Sequence, residues 1–331
     1  MLGYNGRGYV EQCLDSVLDQ DFGSPYEVLF VDNASNDGTA EAAERFDGVR
    51  VERMPANLGY CGGNNAGFGL AQAPLVVFLN QDTVVHRCWL RELVAAVESD
   101  DAIKAAHANV VHPWNAEYEA KERIAAIGAV YAPELSRLGF VDYRSLVTDA
   151  PVVDTLSLSG VSVIIKRDIV EDIGGYVFDP DMFAYGEDVD LALRLRGRGH
   201  QVVVATRAVV YHDHTLDDKP SLRSFAKAVR IIRNRLLAFW KNSDGPEAAA
   251  LSAIVLAGAP FNSGQFGLPA WKKALYFALL LPPTLVAAVR AGMEAPKYAA
   301  RRRVVLANRR LKRGWLLRAL LSDRSRLMTP S

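Results

Sequence analysis

The sequence is poor in cysteine: among 331 residues there are three, Cys13, Cys61 and Cys88. Their number is odd and their spacing is not that of a paired metal site, so neither a disulfide framework nor a cysteine-bound metal is expected. We predict reduced thiols, as in a cytoplasmic protein. The N-terminal residues also lack the apolar core of a secretory signal.

The chain has no net charge, since 38 Lys and Arg residues balance 38 Asp and Glu residues. The balance hides an asymmetry, because residues 1–218 hold 17 basic and 34 acidic side chains, whereas residues 219–331 hold 21 basic and 4 acidic ones. The acidic part excludes a general nucleic-acid surface, because polyanions would repel it. The basic part carries apolar runs as well, which favours an anionic membrane surface as its partner.

No apolar run reaches the roughly 20 residues that a membrane-crossing helix needs. The longest, residues 248–261 and 274–289, have 14 and 16 residues, and Pro282 and Pro283 interrupt the second. We therefore expect an interfacial or re-entrant helical hairpin. Residues 295–322 add nine basic residues and no acid, which is typical of an amphipathic helix on anionic lipid. A helical cap on the preceding domain is the alternative.

Residues 1–218 alternate strand-like and helix-like segments. Short apolar runs predict strands at residues 27–31, 49–53, 74–79, 161–165, 202–205 and 208–211, and helical spacing predicts helices at residues 39–46, 64–73, 89–98 and 187–198. This order is typical of a doubly wound α/β domain with a mostly parallel, Rossmann-like sheet, whose ligands bind at the carboxyl ends of the strands. Residues 219–331 form a second, mainly helical segment in this interpretation.

Acidic residues follow the predicted strands. Asp32 ends the first apolar run, and Asp37 lies in an Asn-Asp-Gly turn before a helix, where short polar side chains bind ribose or simply cap the helix. Asp82 ends a polar triplet after the third strand, a position suited to a divalent cation that bridges phosphates. A plain strand-ending turn is the alternative.

Two further groups lie later in the chain. Glu187, Asp188 and Asp190 begin a predicted helix, where the dipole favours ionised carboxylates and where an ionised acid suits a general base. His212 and His214 follow the last predicted strand, and either one would complete a metal site with Asp82. Dipole complementation and ordinary surface histidines are the respective alternatives.

Taken in order, these motifs resemble family-2 glycosyltransferases of the GT-A fold. The resemblance covers residues 4–215 and is carried by the segments YVEQCLDSVLDQ, VDNASNDGT, ANLGYCGGNNAGF, FLNQDTVV, LSGVSVIIKRD, GGYVFDPDMFAYGEDVDLALRLRGRG and YHDHT. Within the family, the segments around NLGY, NQDT and EDVDL are most similar to bacterial rhamnosyltransferases that build cell-surface polysaccharide.

The resemblance implies a role for each matching residue. Asp188 would be the catalytic base, with Glu187 beside it at the acceptor, and Asp82 would bind Mg²⁺ or Mn²⁺ with His212, or with His214 as the fallback. The nucleotide-sugar would be bound by Asp32, Asn33, Asp37, Asn57, Gly59, Asn64 and Gln81. The implied reaction is inverting, metal-dependent transfer from a dTDP-, UDP- or GDP-sugar to a glycan or polyprenyl-linked acceptor, at the cytoplasmic face of the plasma membrane.

One departure from the family pattern concerns the first strand. Family members have an apolar strand before the Tyr-Asn pair, and here only Met1, Leu2 and Gly3 precede it. We expect this strand to be missing, at a severe cost in packing and with activity in doubt. A non-catalytic membrane-bound sugar-nucleotide binder and a sugar nucleotidyltransferase are the alternative functions. The latter fits less well, since residues 3–8 are a poor triphosphate loop.

Overall fold

The computed structural model describes residues 1–111, 129–136, 140–147, 150–213, 221–258 and 270–321. The strands are β1 (Leu2–Gly3), β2 (Val28–Asp32), β3 (Val49–Arg53), β4 (Leu75–Leu79), β5 (Thr83–Val85), β6 (Ile103–Val111), β7 (Ala129–Ser136), β8 (Phe140–Val147), β9 (Val152–Asp154), β10 (Ser162–Lys166) and β11 (Gln201–His212). The helices are α1 (Val10–Leu18), α2 (Thr39–Ala43), α3 (Gly59–Leu70), α4 (Trp89–Glu98), α5 (Glu187–Gly197), α6 (Leu222–Asn242), α7 (Gly245–Gly258), α8 (Ala270–Glu294), α9 (Ala299–Ala307) and α10 (Trp315–Leu321).

Two sheets form the centre of the N-terminal part. Strands β1, β2 and β3 are parallel, in that order. The second sheet has the order β4-β10-β6-β11-β5, with β9 on β11, and combines the parallel β6–β11 pair with antiparallel neighbours. A parallel bridge between Leu2 and Asn80 connects the two sheets, so the ends of β2 and β4 lie close together.

Side chains alternate between the two faces of each strand, and each face is covered by helices. On β4, Leu79 packs in one core with α1, α2 and α4, whereas Val76 and Phe78 pack in another with α3 and α5. A third core joins α5 to α6, α7, α8 and α10. The basic C-terminal helices are therefore packed on the same helix, α5, that carries the acidic motif.

The expectation that the first strand is missing is wrong, because Leu2 and Gly3 form a two-residue strand, β1. Leu2 and Gly3 pair with Val31 and Asp32 of β2, and the amide of Asn33 donates to the Gly3 carbonyl at 2.8 Å. These two residues complete the end of the sheet that faces the acidic motifs. On the other side of Met1, an apolar cavity of about 450 Å³ separates β2 from β4.

Two predicted elements differ from the observed ones. Helix α3 begins at Gly59, five residues before the prediction, because apolar periodicity in this glycine-rich stretch is weak. The two closing strands predicted at residues 202–205 and 208–211 form one continuous strand, β11, with an irregular register between Ala205 and Val209. A bulge of this kind interrupts the hydrophobic alternation and looks like a turn in the sequence.

Candidate active site

Asp82 and His212 meet at the edge of the second sheet. The Oδ1 atom of Asp82 lies 3.3 Å from Nε2 of His212, because antiparallel pairing places His212 opposite Thr83. The backbone supports the contact, since the Asp213 amide donates to the Asp82 carbonyl at 3.0 Å. His214 lies outside the described residues.

The Asp82–His212 pair has a chemistry that fits a divalent cation. Carboxylate and imidazole are both ligands of Mn²⁺, and Mg²⁺ or Mn²⁺ bound with a nucleotide takes few protein ligands and completes its shell with phosphate oxygens and water. Asp213, whose Oδ2 accepts from the Tyr9 hydroxyl at 2.9 Å, is the next acid along the chain. No group of three His, Cys, Asp or Glu side chains arranged to hold a metal occurs among the described residues, so phosphate would have to supply the remaining ligands.

Asp32 and Asp37 have different surroundings at the carboxyl end of β2. Asp32 is buried, its Oδ2 accepts from the Ser35 amide at 3.1 Å, and its Oδ1 has no hydrogen-bond partner in the described structure. Asp37 accepts from the amides of Arg7 and Thr39 at 3.0 and 3.1 Å. Although burial alone would raise it, hydrogen bonds from Thr39 and Arg7 hold the pKa of Asp37 below its usual value. Asp32 therefore has a carboxylate oxygen available to a ligand. Asp37 instead connects Arg7, in the loop before α1, to Thr39 at the start of α2.

Asn33, Asn57 and Gly59 form one hydrogen-bonded turn. The Asn33 side chain donates to Asn57 Oδ1 and to the Gly59 carbonyl, both at 3.1 Å, and accepts from the Leu58 amide at 2.9 Å. Gly59 has φ of +72°, and a Cβ there would lie 2.5 Å from the Phe183 ring. This turn thus needs a glycine and joins the start of α3 to the loop before α5.

Gln81 and Asn64 are engaged within the protein. The Gln81 amide bridges the backbone of Tyr4, accepting from its N–H at 3.1 Å and donating to its carbonyl at 2.9 Å. Asn64 is buried, donates to the Tyr60 carbonyl at 3.0 Å and lines the apolar cavity between β2 and β4. The side chains of Gln81 and Asn64 are thus bonded within the protein, as are those of Asp37 and Asn33.

Glu187 and Asp188 begin α5 and lie against the segment before β10. Asp188 accepts from the amides of Gly160 at 3.1 Å and Val189 at 2.8 Å. Burial raises the pKa of Asp188, while those hydrogen bonds and the charge of Arg235 oppose the rise. Burial and the adjacent Asp188 charge raise the pKa of Glu187 well above its usual value. The rise in pKa is the larger for Glu187, so Asp188 is the acid that ionises more readily and Glu187 holds its proton more tightly.

Glu187 also keeps a free atom. Its side chain is buried, and its Oε2 has no hydrogen-bond partner within the described structure. A protonated carboxyl in that position donates a hydrogen bond, which an ionised Asp188 cannot do. The two neighbouring acids are therefore suited to different tasks, one to accepting a proton and one to orienting a hydroxyl.

The loop before α5 has strained backbone. Phe183, Tyr185 and Gly186 have φ values of 65°, 70° and 84°, and left-handed backbone is costly for aromatic residues. Asn234 of α6 stabilises this loop, because its side-chain amide contacts the carbonyls of Met182, Ala184 and Tyr185 at 3.0, 3.0 and 2.6 Å. Sequence reasoning missed Asn234, since nothing in a polar helical residue marks a partner 50 positions away.

A buried ionic cluster anchors α6 beneath the site. Lys241 is fully buried, and its Nζ lies 2.6 Å from Asp179 and 2.7 Å from Asp190. Arg194 pairs with Asp190 at 2.8 Å, and Arg301 of α9 contacts Asp179 at 2.6 Å. Asp190, which lies in the first turn of α5 with the two catalytic candidates, is therefore a structural residue. The C-terminal helices support the loop before α5 through Asp179.

Comparison with known proteins identifies the family. The profile of Glycosyl transferase family 2 matches residues 2–173. Glycosyltransferase AglE of Haloferax volcanii is 26% identical over 214 residues, covering 63% of this chain and 64% of AglE. The O-antigen biosynthesis protein RfbC of Myxococcus xanthus is 26% identical over 60% of this chain and 16% of its own. This chain thus spans less than two thirds of either relative.

A third relative names its substrate. The N-acetylglucosaminyl-diphospho-decaprenol L-rhamnosyltransferase of Mycobacterium tuberculosis is 29% identical over 206 residues, which cover 57% of this chain and 66% of that protein. Its name matches the rhamnosyltransferase resemblance of the sequence motifs.

Solved structures share the fold. The mannosyltransferase PcManGT of Pyrobaculum calidifontis, in complex with GDP-Man and Mn²⁺, has a TM-score of 0.50 and 17% identity over 97% of this chain and 85% of its own. GalNAc-T7 with UDP, GalNAc and Mn²⁺ has a TM-score of 0.52 and 15% identity over 76% of this chain and 52% of its own. The predicted α/β class is confirmed: the chain belongs to glycosyl transferase family 2 and has the GT-A fold.

Proposed function

We propose that this protein is an inverting, metal-dependent glycosyltransferase that uses a nucleotide-diphospho-sugar. One observation carries the proposal: consecutive residues connect the two acidic motifs. The Gly160 amide donates to Asp188, and the Val161 carbonyl accepts from the Asn80 amide at 3.0 Å, two residues before Asp82. A base and a metal-binding acid on either side of one short segment suit a sugar whose diphosphate leaves on one side while a hydroxyl attacks from the other.

The chain's own residues account for the proton and the geometry. Asp188 accepts the proton of the acceptor hydroxyl as its oxygen bonds to the anomeric carbon, and the carbon–phosphate oxygen bond breaks with its electrons going to the nucleoside diphosphate. Glu187 orients the hydroxyl. Asp82 and His212 would hold the divalent cation, which, when bound, offsets the charge that grows on the leaving diphosphate.

We infer rhamnose as the sugar and a polyprenyl-diphosphate-linked glycan or cell-surface polysaccharide precursor as the acceptor. The support is the motif resemblance together with the rhamnosyltransferase relative, whose name contains a diphospho-decaprenol acceptor. The nucleotide is dTDP, UDP or GDP. Because donor choice depends on a few pocket contacts, it needs a direct test.

We also propose that the C-terminal helices dock on the anionic cytoplasmic face of the plasma membrane. Helix α8 buries Thr284, Ala287 and Ala291 and exposes an apolar stripe on another face, formed by Leu275, Leu279, Leu285, Val286, Val289 and Met293. Within the described chain, the helical stretch at residues 278–307 is long enough and apolar enough to cross a membrane, judged by length and composition alone. Arg301, near its end, is bound to Asp179 of the catalytic part, which favours docking over crossing.

Thermal shift with a panel of nucleotide-sugars tests the function. We expect dTDP-, UDP- or GDP-sugar with Mn²⁺ or Mg²⁺ to raise the melting temperature, since ligand at about 100 times Kd adds about 2.7 kcal/mol. A radiolabelled donor then tests transfer. Metal-dependent binding without hydrolysis or transfer would support the non-catalytic alternative instead.

Vesicle flotation tests the membrane proposal separately. We expect the protein to float with anionic vesicles and less with neutral ones, and Leu285→Ser with Val289→Ser to reduce flotation. Recovery of all intact protein in the soluble fraction at low salt would contradict it.

A further inference from the structure

Three cationic side chains lie on one face of helix α6, and the inner end of this face contacts the loop before α5. Arg223, Lys227, Arg230 and Asn234 are spaced by four, three and four residues, so they share a face of the helix. Asn234 is buried at the inner end, where it contacts the carbonyls of the loop before Glu187. The other members of this face extend outward from the site.

Two of these cations lie on exposed aromatic rings. Nζ of Lys227 is 5.4 Å from the centroid of the Tyr185 ring, and Cζ of Arg230 is 4.8 Å from that of the Phe183 ring. The rings remain 39% and 40% exposed. The strained backbone of the loop thus presents two aromatic side chains at the surface beside the proposed base, an arrangement that costs energy and is retained mainly at functional sites.

Lys227 and Arg230 differ from two other cations of α6, Arg233 and Lys241. Arg233 pairs with Glu294, and Lys241 pairs with Asp179 and Asp190. Within the part of the chain that the structure describes, neither Lys227 nor Arg230 lies within ion-pairing distance of a carboxylate. Their charges are therefore available to an anionic ligand.

The place of the aromatic pair separates it from the proposed metal site. Phe183 lies against Gly59 at the start of α3, and its carbonyl accepts from the Cys61 amide at 3.0 Å. Asp82 and His212 lie at the other end of the segment that includes Gly160 and Val161. The donor's diphosphate would bind at the metal site formed by Asp82 and His212. An anion bound by the cations on α6 would therefore be a different one.

We propose that Lys227 and Arg230 bind the diphosphate of a polyprenyl-diphosphate-linked acceptor, whose sugar ring contacts Phe183 and Tyr185. The proposal rests on the proposed function and adds the acceptor subsite to it. A guanidinium forms paired hydrogen bonds to phosphate oxygens and an ammonium adds a compact charge, which together suit a diphosphate. Aromatic faces pack on the apolar face of a sugar ring.

Competition between two acceptors tests the subsite. The same sugar is offered as a short-chain prenyl diphosphate and as a neutral alkyl glycoside, and the ratio of the two kcat/KM values is compared. For Lys227→Ala with Arg230→Ala we expect the preference for the diphosphate acceptor to fall about tenfold or more, because each cation makes a charge-assisted contact. Arg87→Gln, on an exposed arginine that precedes α4 and pairs with Asp19, should keep the ratio. An unchanged ratio in the double variant would overturn the proposal.

Direct binding gives a readout that does not need turnover. Farnesyl diphosphate serves as the probe in calorimetric titration of the full chain, with farnesol as the neutral counterpart. We expect the double variant to bind farnesyl diphosphate about tenfold more weakly than the wild type. Its affinity for farnesol should be unchanged. If the variant loses only flotation with anionic vesicles and keeps diphosphate binding, the cations contact lipid headgroups and the proposal is wrong. If wild-type protein binds the probe but shows no transfer, the proposed function fails while the subsite stands.

Discussion

Asp82 and His212, 130 positions apart in the chain, lie with Oδ1 and Nε2 3.3 Å from each other. Antiparallel pairing of β5 with β11 creates this contact, since it sets His212 opposite Thr83. The pairing extends over Val84 and Val85, which are buried in the sheet. His212 is the last residue of β11 and Asp82 directly precedes β5, so the two proposed ligands lie at the ends of paired strands, which favours a fixed distance between them.

Removal of either ligand should weaken Mn²⁺ binding. We expect Asp82→Asn and His212→Ala to reduce affinity for Mn²⁺, measured by calorimetry with nucleoside diphosphate present, by about tenfold or more, since even the outer partners of metal ligands contribute about 10–100-fold. Asp47→Asn changes an exposed acid elsewhere and is the matched control. Equal Mn²⁺ affinity in all three variants would exclude this site.

Asp188→Asn should abolish most of the transfer activity. An asparagine cannot accept the proton, so we expect kcat to fall by about 10²–10⁴, whereas Glu187→Gln keeps a donor and should lose less. Since burial raises the pKa of Asp188, the base is protonated as the pH falls through that raised value. The acidic limb of the kcat/KM profile should accordingly lie above the usual range for aspartate. Near wild-type transfer by Asp188→Asn would refute the assignment.

Asn234 should act as a positioning residue for the loop before α5, and thereby for Glu187 and Asp188. Asn234→Ala removes the contacts to the carbonyls of residues 182, 184 and 185, at a cost of about 1–3 kcal/mol for the buried groups left unpaired. We expect kcat to fall while the nucleotide-sugar still raises the melting temperature. A variant with lower stability but unchanged kcat would show that Asn234 has only a structural role.

Two lysine–aspartate pairs provide a matched test of burial. Lys241→Met removes the buried cation between Asp179 and Asp190, which leaves each acid with one arginine partner, and we expect a loss of about 3–5 kcal/mol in unfolding free energy. Lys297 pairs with Asp181 at 2.8 Å but is 59% exposed, so Lys297→Met should cost about 0–1 kcal/mol. Urea denaturation measures both, and similar losses would contradict the structural role of the buried cluster.

Stability should decrease on acidification through His107. This side chain is fully buried in β6, and burial lowers its pKa from 6.5 to about 4. The unfolded chain therefore binds a proton that the folded chain does not, and the loss begins near pH 6.5 and grows to about 2–3 kcal/mol near pH 4. His107→Asn removes this contribution, so its unfolding free energy should fall less steeply between pH 7 and pH 4.5. Parallel curves for variant and wild type would be the contrary result.

The family, and the positions of the acidic motifs at the ends of strands and at a helix start, could be predicted from the sequence. Short apolar runs before Asp32 and before the triplet that ends in Asp82 identify buried strands with acids at or just after their ends, because the pattern and the chemistry both lie within a few consecutive residues. The same holds for Glu187 and Asp188 at a helix start. Register inside β11 could not be predicted, since a bulge breaks the alternation on which strand prediction depends.

Tertiary structure decided which polar side chains are hydrogen-bonded within the protein and which have an oxygen available to a ligand. Gln81 and Asn64 match the family motif yet bond to Tyr4 and Tyr60, whereas Asp32 and Glu187 each have an oxygen with no hydrogen-bond partner among the residues that the structure describes. It also decided that the basic C-terminal part is joined to the acidic part, through Lys241 and Arg301. The sequence by itself determined the order of the elements and the chemical groups at their ends, because these depend on neighbours along the chain. The partners of Gln81, Asp82 and Lys241 lie about 60 to 130 positions away in the chain, and only folding brings those residues together.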